Sequence, residues 1–286
     1  MLSVEEYVEQ EYLFRTVAER LGRSESLQDI LKHVREEVLA TTQLPMAIDF
    51  LRAELNHLGV MAGAMRRLNH YFAPFQTFLV ASAEDDRGRF DLRMGLNALR
   101  HESALRATSP APASLFFFQF ETLCRCRLDY DRGLGAMQLD PRYDAAWREW
   151  IGLVRRQVGL IDLADLVYVA SEYYLEQQRK RQAPSSELPT QVLFGVKEGR
   201  IALANRRKDP LLFFEALQRQ LGYPKVPKPE RRQESPQELL TKLARRLDRI
   251  EARIKLLEEE QRESGIDLTK FYQGRTPPIA DDDDSV

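Results

Sequence analysis

Along most of this chain apolar residues recur three or four positions apart, and a chain with that period folds by packing helices on helices. Val4, Tyr7, Phe14, Val17 and Leu21 mark one helical face, and Gly22 stands where a helix would stop. Ser26 with Asp29 resembles a capping box, Asp replacing the usual Glu or Gln, and Leu27, Ile30, Leu31, Val34 and Val38 follow at helical spacing. Pro45 opens a third helix that carries Ile48, Leu51, Leu55 and Leu58 and closes near Gly59. Met61, Met65, Leu68 and Phe72 continue the pattern up to Pro74, which lacks the amide proton a helix interior needs and should break or kink the chain. A further helix is expected over 87–107.

SPAPAS (109–114) is a loop by composition. FFFQFETLCRCRL (116–128) is so evenly apolar at its start that period alone does not separate helix from buried strand, and its helical neighbours favour helix. Asp140-Pro141 predicts another start, an N-cap carboxylate and then proline at the first helical position, ahead of Tyr143, Trp147, Trp150, Ile151, Val154 and Val158. Residues 162–182 predict one more helix, whose basic end at Arg179, Lys180 and Arg181 suits the helix dipole.

One segment breaks the period. In VLFGVKEGRIALAN (192–205) a two-residue turn at Glu198-Gly199 would set Val196 opposite Ile201 and Phe194 opposite Leu203. The pattern predicts a β-hairpin with one apolar side, lying on helices because two strands alone are marginal. Asp209-Pro210 then starts a helix that runs to Gly222. The prolines and charges of YPKVPKPERRQESP (223–236) predict an extended, mobile linker with too little apolar surface to pack. The expected fold class is therefore mainly α. A multi-helix body spans 1–182, a small hairpin-plus-helix module 190–222, the linker 223–236, a coiled-coil-like helix 237–262, and an acidic tail, expected to be disordered, 263–286.

The coiled-coil expectation rests on LTKLARRLDRIEARIKLL (240–257). Leu240, Leu247 and Ile254 take the a positions of a heptad and Leu243, Ile250 and Leu257 the d positions, a stripe narrower than a helix packed on a globule usually shows. In a parallel pair Arg246 would face Glu251 and Arg253 would face Glu258 of the other chain, both attractive. Exposed pairs of this kind contribute only about 0.2–1 kcal/mol each, so they set orientation more than stability. The expected partner is a second copy of this chain; docking on its own body or on another protein are the alternatives. No a position is polar, so trimers are not designed against.

Composition bounds the rest. With 42 basic and 44 acidic residues the net charge is −2, which argues for neither nucleic acid nor a membrane surface as the partner of the whole chain. Two cysteines one residue apart, Cys124 and Cys126, make no disulfide framework and fit a reducing compartment. The acidic start MLSVEEYVEQEY is not a secretory signal, and YFAPFQTFLVASA (71–83) and SLFFFQF (114–120) fall short of a membrane span. A cytoplasmic, membrane-free protein is the default expectation.

Candidate chemistry is sparse. Glu54 and His57 form a Glu-x-x-His on a helix, the spacing with which ferritin-like bundles hold a metal, but such sites need the motif twice and two further glutamates, and no second copy occurs. They read better as an exposed Glu and a helix-end His, and no metal or cofactor is expected. Cys124-x-Cys126 is not a zinc spacing, although Arg125 and Arg127 would favour a thiolate. Asp49, Asp162 and Asp165 interrupt apolar runs and read as helix-start residues rather than as acids and bases. The chain has no GxxxxGK, no GxGxxG after a strand, no HExxH and no GxSxG. Residues 179–249 lean basic, and Arg206, Arg207, Lys208, Arg231 and Arg232 are candidate phosphate contacts without interleaved aromatics. The expectation is a non-catalytic, self-associating interaction or scaffold protein. A nucleic-acid-associated protein and an enzyme or metal-binding bundle with its site in 1–182 are the alternatives.

Overall fold

The computed structural model describes residues 2–23, 25–85, 90–180 and 191–228, together with Ile250 and Ile254. The chain divides into two units, Met1–Pro229 and Glu230–Val286. Among its described residues the first unit holds thirteen α-helices and no β-sheet. In chain order they are α1 (Val4–Leu21), α2 (Leu27–Glu37), α3 (Leu44–Leu58), α4 (Ala62–Arg67), α5 (Pro74–Ala83), α6 (Leu92–Ala107) and α7 (Pro112–Cys126). They continue as α8 (Tyr130–Gln138), α9 (Ala145–Gln157), α10 (Leu163–Val169), α11 (Glu172–Lys180), α12 (Val196–Asn205) and α13 (Pro210–Leu221).

The helix ends carry the expected devices. Ser3 and Ser26 cap α1 and α2 by accepting the amides of Glu6 and Asp29, and Pro45 lies in the first turn of α3. The chain breaks ahead of Pro74 as expected: α4 ends at Arg67, and Pro74 opens α5, where its missing N–H costs nothing. Gly59 and Gly222 end α3 and α13 at φ +71° and +69°, a left-handed turn that glycine adopts without strain.

α7 is the hub. Every residue from Ala113 to Leu123 is buried, and the helix packs on α6, α8 and α13. A helix apolar all round belongs in the middle of a fold, which settles the helix-or-strand ambiguity of FFFQF. Its polar residues are each satisfied: Ser114 donates to the carbonyl of Leu221 at 3.1 Å and Thr122 to that of Phe118 at 2.8 Å. On one side Phe116 sits among Phe117, Phe120, Trp147 and Trp150, with ring centroids 4.9–5.9 Å apart.

Four expectations are corrected. The hairpin at 192–205 is helix α12, preceded by an extended stretch. Its inward face is Gly199 and Ala202, while Leu203 is partly exposed, so the large side chains that suggested alternation do not mark the packed face. Gly199 is there for close approach, not for a turn: a Cβ on it would lie 2.3 Å from the Ser171 hydroxyl and 2.8 Å from the Tyr173 Cβ. The single helix over 162–182 is two, α10 and α11. The chain breaks at Ala170-Ser171, where Leu193 and Phe194 donate to the Ala170 carbonyl and Glu172 donates to that of Phe194. Asp140-Pro141 does not start a helix; Asp144 caps α9 by accepting the Trp147 amide at 2.9 Å. Finally, the start of the 223–236 linker is packed. Tyr223 and Val226 are buried, and the Tyr223 hydroxyl donates to Glu121 at 2.8 Å and to the Phe214 carbonyl at 3.0 Å. The 190–222 module thus belongs to the same unit as the 1–182 body.

Candidate functional site

Asp140 is free of capping duty because it serves a buried ion cluster. Arg106 of α6, 1% exposed, donates through Nη2 to Glu102 at 2.9 Å and to Asp140, both fully buried. Burial alone would lower the guanidinium's pKa, but the charges of Glu102 and Asp140 hold it well above the usual range. Gln119 of α7 donates to the same Glu102 oxygen at 2.6 Å and accepts from the Tyr143 hydroxyl at 2.9 Å. Beside this cluster Gln10, Gln76 and Ser103 form a second buried chain that ends on the Tyr71 carbonyl.

The cluster fixes the connection between α8 and α9. The Arg142 amide donates to Asp140 at 3.0 Å, its side chain donates to the Arg106 carbonyl at 2.9 Å, and its guanidinium lies 5.8 Å from the centre of the Tyr7 ring. Pro141, between these two anchored residues, is one edge of a surface groove of about 770 Å³. The groove runs between α5 and α8. α5 contributes Pro74, Thr77, Phe78 and Ala81, and α8 contributes Asp131, Arg132, Gly135, Ala136 and Gln138. Each set is one helical face about two turns long. Phe72 forms part of the floor, Leu139 stands at the edge 72% exposed, and Arg66, Arg132 and Arg155 ring the opening. Arg155 grips Asp131 through two hydrogen bonds of 2.6 and 2.8 Å, which holds the Asp131 carboxyl below its ordinary range. Gly135 leaves room for that guanidinium, since a Cβ there would come within 3.2 Å of it. No ion pair engages Arg66 or Arg132 among the described residues.

The sequence-predicted residues fall elsewhere. Glu54 is held by Arg67 at 2.8 and 2.9 Å and His57 is exposed, so the two do not converge as ligands; no group of three metal-binding side chains gathers among the described residues. Asp162 caps α10 and also accepts the Arg207 amide at 2.8 Å, while Asp165 pairs with Arg206 and Asp49 with Arg35 and Arg52. Arg206 also lies 5.5 Å over the Tyr168 ring, an arginine–aromatic contact that sequence order concealed. Lys208 is exposed, and Arg231 and Arg232 lie outside the described residues. So do Leu240, Leu243, Arg246, Leu247, Glu251, Arg253, Leu257 and Glu258, and the coiled-coil helix as a whole. Ile250 and Ile254 are helical and about half exposed, 48% and 50%. No helix of the described residues is long and apolar enough to cross a membrane.

Cys124 and Cys126 are not activated thiols. Burial pushes Cys124 up to about 11 and Cys126 up to about 12, outweighing the neighbouring Arg125 charge. At pH 8 the native Cys124 is then about one part in a thousand thiolate. Alkylation of the native protein by iodoacetamide at pH 8 is expected to run about 100-fold slower than in denaturant. From pH 8 to 10 the native rate should rise about tenfold per pH unit, while the denatured rate levels off once the free thiols are ionised. Equal native and denatured rates at pH 8 would overturn the assignment.

Compared with known proteins, the chain matches no family model, no curated protein and no solved structure.

Proposed function

We propose that this is a non-catalytic interaction protein, which holds a helical segment of a partner protein in the groove between α5 and α8 and self-associates through the heptad helix at 237–262. The groove carries the reading: a mostly apolar α5 face with Phe78 and Ala81 runs beside an α8 face of small and polar residues, with Leu139 and guanidinium groups at the rim. Such groups bind and orient, and a guanidinium does not give up its proton near neutral pH. The test is binding of short amphipathic helical peptides to the full chain. Ala81→Trp, which fills the groove, is expected to abolish it; a groove that binds no such peptide retires this role.

The heptad spacing supports the second half, and so does the open surface of Ile250 and Ile254 on helical backbone. Light scattering of the full chain should give the mass of a dimer, and the double substitution Leu247→Asp, Ile250→Asp should return it to about 33 kDa, the monomer mass. A monomeric parent chain would remove self-association from the proposal.

A further inference from the structure

The partner's chemistry is written in the groove's charge. α5 packs on α8, and along their seam Pro74, Thr77, Phe78 and Ala81 line the groove at i, i+3, i+4, i+7 spacing, with Thr77 and Phe78 at its buried base. α8 presents a second face of equal length across from them. Ala81 and Ala136 are small and leave depth for the occupant's own side chains, and Leu139 adds an exposed apolar shoulder. The charged rim is unbalanced. Of Arg66, Arg132, Arg155 and Asp131, the last two neutralise each other, so two exposed guanidiniums remain without an ion pair among the described residues. A segment that laid apolar residues into this groove and lysines along its flanks would meet like charge. One with carboxylates on its flanks would complete the rim.

Resting on the groove reading above, we infer that the occupant is an acidic amphipathic helix of a partner protein, about two to three turns long, with Leu- or Phe-type anchors on one face and Asp or Glu beside them. The groove length sets the helix length. The apolar α5 wall with Phe78, together with Leu139, sets the anchors, and Arg66 and Arg132 select the acidic flanks.

Two fluorescein-labelled 14-residue peptides test this by anisotropy against the full chain. They share Leu and Phe at helical spacing, and one carries Glu where the other carries Lys. The Glu peptide is expected to bind, to weaken as salt rises, and to lose about tenfold in affinity with Arg66→Glu plus Arg132→Glu. Both arginines are exposed, so that variant should keep the parent's thermal transition, which is checked alongside. If both peptides bind equally, or only the Lys peptide binds, and Ala81→Trp abolishes that binding, the acidic specificity is wrong while the groove remains a docking site. If neither peptide binds, both inferences fall. Binding of oleate blocked by Ala81→Trp, without binding of either peptide, would assign the groove to a small amphiphile instead.

Discussion

Replacing Arg106 with methionine is expected to lower the stability of the first unit by about 3–5 kcal/mol, read as a shift of the urea unfolding midpoint. The cause is not the lost volume, which methionine largely fills. It is that Glu102 and Asp140, both fully buried, would face each other's charge with no cation between them. Pairing a buried charge rarely gives a large net gain, but orphaning one is costly. The two causes separate in a cycle. The triple substitution Glu102→Gln, Arg106→Met, Asp140→Asn removes all three charges together and should be less destabilised than Arg106→Met alone. If the single and triple variants unfold at the same midpoint, uncompensated charge is not what Arg106 prevents. The loop 139–144 should respond as well, because Asp140 and Arg142 are its anchors and Pro141 is a wall of the groove.

Phe116→Ala should cost a similar amount, about 3–5 kcal/mol, through the cavity it leaves. Phe116 is fully buried, and its ring lies 4.9 Å from that of Trp150 and 5.9 Å from that of Trp147. These are the chain's two tryptophans, so tryptophan emission excited at the red edge of absorption, where the ten tyrosines do not absorb, reports this cluster. The variant is expected to show red-shifted or quenched emission in the native state as well as the lower midpoint. Phe116→Leu, which keeps most of the volume, should cost about 1.5 kcal/mol or less. A loss below about 1 kcal/mol for the alanine variant, with emission unchanged, would show that the cluster re-forms around the gap.

What the sequence made legible was local. Ser3 aside, the helix ends at Ser26, Pro45, Gly59, Asp209-Pro210 and Gly222 follow from residues within one turn of the boundary, and local devices act alike wherever the turn is placed. Misreadings occurred where a partner far along the chain outranked the local signal. Asp140 looked like a cap because Arg106, 34 residues earlier, could not be seen to claim it. Gly199 looked like a turn because Ser171 and Tyr173, which press against it, lie more than 25 residues earlier, at the start of α11 and just before it. Tyr223 looked like linker because its buried acceptor is Glu121, 102 residues away. The groove had no sequence signature at all: its two faces come from helices separated by two others in the chain, and each face by itself is an ordinary helix surface.

The central position of α7 also bears on how the chain is made. Its neighbours α6 and α8 flank it in sequence and can cover it early. The third side waits for Phe213, Phe214, Tyr223 and Val226. About 100 residues separate the end of α7 from Val226, so at ribosomal speeds of about 5–20 residues per second one flank of the phenylalanine helix stays uncovered for about 5–20 s during synthesis. Over that interval one flank of phenylalanine rings meets solvent, and a chain stopped before residue 213 would lack the side chains that cover it.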